Sequence, residues 1–230
     1  MAFKRLKTGI SGMDEILSGG FIEKSQILLT GTTGTGKTTF SCQFLVHGAK
    51  EGEPGLYITF EEPPENIRAN MANLGMDIEG LEKQKKISFL RYDPYHIEDI
   101  FDLIENAIKK FGIKRVVIDS ITSLGFFIRD PSEMRRMILN ASMLLRKLEC
   151  TTLMISEIPP EQKTLSRFGV EEFVADAIVV LYYMREQSKF ARAITVWKMR
   201  GSDHSHKMHP YEITSKGIVV YPKEEAYIKI

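Results

Sequence analysis

Gly31-Thr32-Thr33-Gly34-Thr35-Gly36-Lys37-Thr38 decides how this chain folds. The stretch fits the pattern G-x-x-x-x-G-K-[ST]. Before it, Ser25 to Thr30 is an apolar run that reads as a short buried strand, ended by Gly31. After it, Phe40, Phe44, Leu45 and Gly48 fall at helical spacing between Lys37 and Ala49. Strand, glycine-rich loop and helix are the three parts of a phosphate cradle. The glycines let the backbone curl so that successive N–H groups point inward at an anion. The helix presents its positive end to the same anion. Gly31 to Thr39 are therefore the expected phosphate-binding residues, with Lys37 reaching the β- and γ-phosphates and the Thr38 hydroxyl ligating Mg²⁺. The pattern occurs once, so one nucleotide site per chain is expected, with ATP and Mg²⁺ as its ligands.

Working outward, strands and helices alternate. Gly55–Phe60, Ile87–Leu90, Arg115–Asp119 and Thr151–Ser156 read as further strands. Helices are expected from Pro63-Pro64 to about Leu74, where Gly75 stops the first, from Ile97 to Phe111, closed by Gly112, and from Ser132 to Leu148, opened by Asp130-Pro131. Continuous apolar strands alternating with helices imply a parallel sheet covered on both faces. After residue 172 the pattern changes. Ala177–Met184, Arg192–Met199, Tyr211–Thr214 and Gly217–Tyr221 look like successive strands without helices between them. The expected fold is α/β, with a mostly parallel central sheet and an antiparallel C-terminal extension, residues 1–230 forming one domain.

Of the 230 residues, 43% are hydrophobic and 27% charged, as in a soluble globular protein large enough to bury a sizeable core. The formal net charge of +1 gives no overall bias toward nucleic acid or an anionic membrane. Lys83, Lys85 and Lys86 read as a solvated face. Cys42 and Cys150 have no metal-ligand or disulfide-framework spacing and read as buried thiols. The N-terminus has no apolar signal-peptide core, and no apolar run approaches the length of a membrane span. The cytoplasm is the expected compartment.

A phosphate loop needs an acid at the end of a neighbouring buried strand. Arg115-Val116-Val117-Ile118-Asp119 supplies Asp119 as the second Mg²⁺ holder. Hydrolysis also needs a group that orients the attacking water. Glu61-Glu62 ends the second strand, and in a parallel sheet all such ends face one crevice. Neighbouring carboxylates repel each other, which favours a proton on one of them. The sequence does not separate Glu61 from Glu62. Ser156-Glu157 ends another strand at the same crevice, where it would cap the strand or sense the γ-phosphate.

These residues resemble a known family. Leu6-Lys7-Thr8-Gly9-Ile10-Ser11-Gly12-Met13-Asp14, Ile58-Thr59-Phe60-Glu61-Glu62, Val117-Ile118-Asp119-Ser120, Phe168-Gly169-Val170-Glu171-Glu172 and Lys198-Met199-Arg200-Gly201-Ser202-Asp203-His204 are similar to KaiC-type ATPases of the RecA superfamily, nearly end to end and in order. The resemblance implies a homo-oligomeric ring, most often a hexamer, with ATP between subunits. It implies that Lys198 and Arg200 reach the neighbour's γ-phosphate as an arginine-finger device, worth ~10³–10⁵ in rate where measured. It further implies nucleotide contacts near Met199, Ser202 and His204, at Thr214 and Ser215, and near the base at Asn73. Where the kinase-type domain of the clock protein carries a phosphorylated Ser-Thr pair, this chain has Glu172-Phe173, which argues for hydrolysis over autophosphorylation. The resemblance covers one such domain where the clock protein carries two, so a circadian role does not follow.

Three functions fit: an ATP hydrolase working as a ring, a recombinase-like ATPase that binds single-stranded DNA, and a scaffold that binds ATP with little turnover. The DNA reading is not favoured. The corresponding loops, Gly125–Arg129 and Pro159–Arg167, carry only Arg129, Lys163 and Arg167 as cations. No downstream protein partner is legible.

Overall fold

The structure is a computed structural model that describes residues 3–92, 99–125, 128, 130–159, 164–186 and 189–226. Its central sheet has nine strands in the order β11-β10-β9-β8-β3-β7-β6-β4-β5. These are β3 (Gln26–Gly31), β4 (Gly55–Thr59), β5 (Ile87–Arg91), β6 (Arg115–Asp119), β7 (Thr151–Glu157), β8 (Ala177–Glu186), β9 (Lys189–Met199), β10 (His209–Thr214) and β11 (Gly217–Val220). Strands β3 to β8 are mutually parallel. β9, β10 and β11 continue the sheet antiparallel. A small sheet pairs β1 (Arg5–Leu6) with β2 (Phe21–Ile22).

The parallel strands are apolar on both faces because each face carries its own helix layer. Along β3, Ile27 and Leu29 enter one core and Leu28 the other. Val117 on β6 and Leu153 on β7 follow the first, while Val116, Ile118 and Met154 follow the second. That is the two-residue period of a strand read from both sides. Helix α2 (Lys37–Lys50) and α3 (Pro64–Ala72) close the first face. Helices α5 (Ile100–Phe111) and α7 (Pro131–Lys147) close the second through Ile104, Ile108, Met134, Ile138 and Leu145. Each fully buried Leu or Ile contributes about 1.5–3 kcal/mol to this arrangement.

Capping follows the expected chemistry. Asp130 accepts from Ser132 N at 2.8 Å and Pro131 occupies the first turn of α7. Gly112 ends α5 in the left-handed region. Four short helices were not anticipated: α1 (Met13–Ile16), α4 (Ile78–Lys83), α6 (Ile121–Leu124) and α8 (Glu171–Val174). At four to six residues they are too short to show a period. The expected start of α5 at Ile97 lies outside the described residues. Lys83 pairs with Glu79 at 2.8 Å on an exposed face. Cys42 and Cys150 are buried free thiols.

At the end of the sheet opposite the carboxyl strand ends, Arg115 is almost wholly buried. Its guanidinium donates to Glu53 and to the carbonyls of Lys7 and Phe44. It also lies 4.5 Å over the Phe44 ring. One side chain thus ties β6 to α2 and to the segment before it.

Candidate functional site

The chain leaves β3, forms β4 and β5 toward one edge, then returns to fill β6 and β7 before β8 is laid on the other side of β3. That reversal opens a crevice at the carboxyl strand ends. The loop after β3 lies there. Gly34 and Gly36 have φ of +81° and +88°, conformations that favour glycine. A Cβ on Gly31 would lie 2.4 Å from Leu181 O, so β8 requires a glycine at the loop's start. Thr35 is fully buried and donates to Thr32 O at 2.8 Å. Tyr211 on β10 donates to Thr35 O at 2.5 Å and pins the loop from behind. Thr33 and Gly34 are exposed at the mouth, and Thr39 is buried in the first turn of α2.

Lys37 folds back on its own loop, donating to Gly31 O at 3.0 Å and Thr32 O at 2.9 Å. Its ammonium is 3.5 Å from Glu157 Oε1. Burial lowers its pKa, partly offset by Glu157 and Asp119. Glu157 stands beside Gly31 in register across β3 and β7, so Ser156-Glu157 does face the crevice. Ser156 itself is buried and donates to Glu171 at 3.0 Å.

Asp119 ends β6 directly opposite Thr59 on β4. Burial raises its pKa to about 6, against the opposing effects of the Tyr57 hydroxyl and Lys37. Tyr57 donates to Asp119 Oδ2. The Thr38 side chain lies beside the Tyr57 hydroxyl, so Thr38 and Asp119 are brought together. Both are hard oxygen donors, the kind Mg²⁺ takes alongside phosphate oxygens. No group of three or more His, Cys, Asp or Glu among the described residues is arranged to hold a metal. A Mg²⁺ ion held by Thr38 and Asp119 would share its coordination with phosphate oxygens.

Glu61 and Glu62 follow β4, with Phe60 N bonded to Asp119 O at 3.1 Å. Glu62 is half-buried and its carboxylate accepts from Asn70 at 3.3 Å. Glu61 is exposed, and its carboxylate has no bonding partner among the described residues. Asn73 caps α3 on the exposed surface. Thr214 and Ser215 form the β10–β11 turn, where the Thr214 hydroxyl donates to Gly217 O at 2.9 Å. Ile213 packs against Gly36 and Ser215 O lies near Gly75, so this turn and the end of α3 flank the loop together.

Lys198 and Arg200 lie elsewhere. Met199 pairs with Ala177 at the start of β8, four residues before Leu181, which pairs with Gly31. Four strand residues span about 13 Å, so these cations are at the amino ends of the parallel strands, away from the loop. Lys198 donates to Glu172 O at 2.9 Å and Ala175 O at 2.7 Å. Arg200 donates to Phe173 O at 3.2 Å and stays 55% exposed. Met199 buries its side chain in the core. Ser202 accepts from Arg5 at 2.5 Å, and the His204 ring lies 4.7 Å from that of His206.

Sequence reasoning missed four residues here: Tyr57, Arg192, Tyr183 and Tyr211. Arg192 on β9 donates to Gly34 O at 3.3 Å and stacks 4.4 Å over the Tyr183 ring, lining the mouth of the loop. All four sit inside strand patterns, where only the pairing register shows which hydroxyl or cation meets the loop.

Comparison with known proteins agrees with this geometry. The family model described as "ATPase: KaiC" matches residues 6–225. A UPF0273 protein of Thermotoga maritima is 40% identical, over 96% of this chain and 97% of its own. The circadian clock protein KaiC3 of Synechocystis is 36% identical over 95% of this chain, which spans 46% of that longer protein. The crystal structure of a KaiC-like protein from the hyperthermophilic archaeon Pyrococcus horikoshii has a TM-score of 0.89 at 40% identity, covering 96% of this chain and 100% of that one. By phosphate loop, sheet order and likeness over nearly its full length, the chain belongs to the KaiC family of RecA-like ATPase domains.

Proposed function

We propose that this protein is a single-domain ATPase that binds and hydrolyses ATP with Mg²⁺ as a ring of identical copies, six by family likeness. Each site is completed by Lys198 and Arg200 of the next copy. The observation that carries this reading is their separation from the loop in one chain. Both cations are at the amino strand ends, about 13 Å along β8 from the residue beside Gly31. In cis they are too far to touch a γ-phosphate. A neighbouring copy can present them to it.

Within the chain, Lys37 exchanges its carbonyl partners for phosphate oxygens. The loop amides and the first turn of α2 bind the same phosphates. Mg²⁺ held by Thr38 and Asp119 would offset charge on the β- and γ-phosphates. Glu61 is free to orient the attacking water, while Glu62 is engaged by Asn70. Asn73, Thr214 and Ser215 contact the nucleoside from the same chain. Met199, Ser202 and His204 belong with the neighbour's cations, Met199 contributing only backbone because its side chain is buried.

Phosphate release by purified protein, with native mass measured with and without Mg²⁺-ATP, tests the proposal. Turnover that rises with assembly is expected. Assembly without turnover would leave a scaffold, and turnover by a monomer would remove the role of Lys198 and Arg200. Stimulation by single-stranded DNA would replace the proposal with a recombinase-like one.

A further inference from the structure

Tyr57 is fully buried in the middle of β4, yet its hydroxyl is at the functional end of the crevice. On β4 it is opposite Val117, so Asp119 is its diagonal neighbour on the same face of β6. A long side chain reaches that distance. The phenol donates to Asp119 Oδ2, and the Thr38 side chain lies beside the phenolic oxygen. One hydroxyl therefore stands between the two groups assigned to the cation.

The ring cannot swing away. It stacks on Phe89 with centroids 5.2 Å apart and planes 22° from parallel. The Arg68 guanidinium lies 5.2 Å from the Phe89 centroid and is itself held by Glu82. Tyr57 is thus fixed from behind by a stack that runs out to the surface of α3.

We propose that Tyr57 is a positioning residue for the Mg²⁺ that accompanies the nucleotide. It occupies Asp119 Oδ2 and so leaves Oδ1 to face the cation or its water. Mg²⁺ is exacting, with near-octahedral ligands at about 2.0–2.1 Å, so fixed donor orientation matters more for it than for a larger cation. The proposal rests on the reading of Thr38 and Asp119 as the Mg²⁺-holding pair.

Tyr57→Phe removes only the hydroxyl and keeps the stack. ATP binding is measured by calorimetry in EDTA and in saturating Mg²⁺, with a Mg²⁺ titration of the ATP complex. The affinity in EDTA should stay within about twofold of wild type. The gain on adding Mg²⁺ should fall about tenfold, as expected for losing a hydrogen bond to a charged group, and half-saturation should need correspondingly more Mg²⁺. Phe89→Leu frees the ring while keeping the hydroxyl and should shift the Mg²⁺ titration in the same direction, which tests the idea should Tyr57→Phe fold poorly. Unchanged Mg²⁺ dependence in a folded variant overturns the proposal. So does a lower melting temperature with unchanged Mg²⁺ dependence, which would make Tyr57 merely structural. Absence of Mg²⁺-dependent ATP binding in the wild type would instead sink the underlying reading of the site.

Discussion

Two carboxylates side by side in the sequence have different surroundings in the fold. Glu62 is half-buried and bonded by Asn70, while Glu61 has no partner among the described residues. Glu61→Gln should therefore lower kcat by about 10² or more with little change in ATP affinity, in the range of general-base effects. Glu62→Gln should cost less, and single-turnover phosphate release compares the two. Asp119 shows the opposite tension, between stability and function. Burial raises its pKa to about 6, above the ordinary ~3.9. Between those values the folded state holds a proton that the unfolded state has lost. The stability from that proton is full below the ordinary value and is lost as pH rises through about 6. In protein free of nucleotide and metal, Asp119→Asn should stabilise by about 3 kcal/mol at pH 8. It should give little gain near pH 4, and should lose turnover. Urea unfolding at the two pH values measures the first effect.

At the scale of elements, the loop depends on what lies behind it. β8 leaves no room for a Cβ at Gly31, Ile213 packs against Gly36 and Tyr211 holds Thr35. The antiparallel extension therefore shapes the phosphate loop, although the two are far apart in the chain. At the opposite end, Arg115 ties β6, α2 and the N-terminal segment through Glu53 and two carbonyls. Arg115→Ala would leave those carbonyls without their donor and a cavity beside Phe44. It should destabilise by about 3–5 kcal/mol in chemical denaturation, with the ATP affinity of the remaining folded protein nearly unchanged.

At the scale of the molecule, the proposed site would have two halves, on opposite ends of the sheet. Mixing makes this testable. Arg200→Ala protein retains Glu61, and Glu61→Gln protein retains Arg200. Each alone should be nearly inactive. Under conditions of proven subunit exchange the mixture should recover a substantial fraction of wild-type phosphate release, about a quarter for random adjacent pairing of equal amounts if the arginine effect is as large as ~10³. No recovery would remove support for a finger supplied by the next copy. The side chains of Phe173, whose carbonyl accepts from Arg200, and of Trp197, next to Lys198, are 64% and 55% exposed, where such a neighbour would cover them.

How much of this was legible depends on the range of the interactions. The order of strands and helices from β3 to β7 could be read because periodicity and capping act over a few residues. So could the phosphate loop and the position of Asp119, since each is a contiguous motif at a strand end. The short helices and the β1–β2 pair carry no period and were missed. Tyr57, Arg192 and Tyr211 look like ordinary strand residues until parallel register and the order of β8, β9 and β10 bring them to the loop. The sequence by itself determined the fold class, the cradle for phosphates and the acids around it. The tertiary structure alone decided that Tyr57 holds Asp119 beside Thr38, that Glu61 and Glu62 differ, and that Lys198 and Arg200 cannot serve their own loop. These are distances across the sheet, set by strand order and packing, and no local spacing in the chain encodes them.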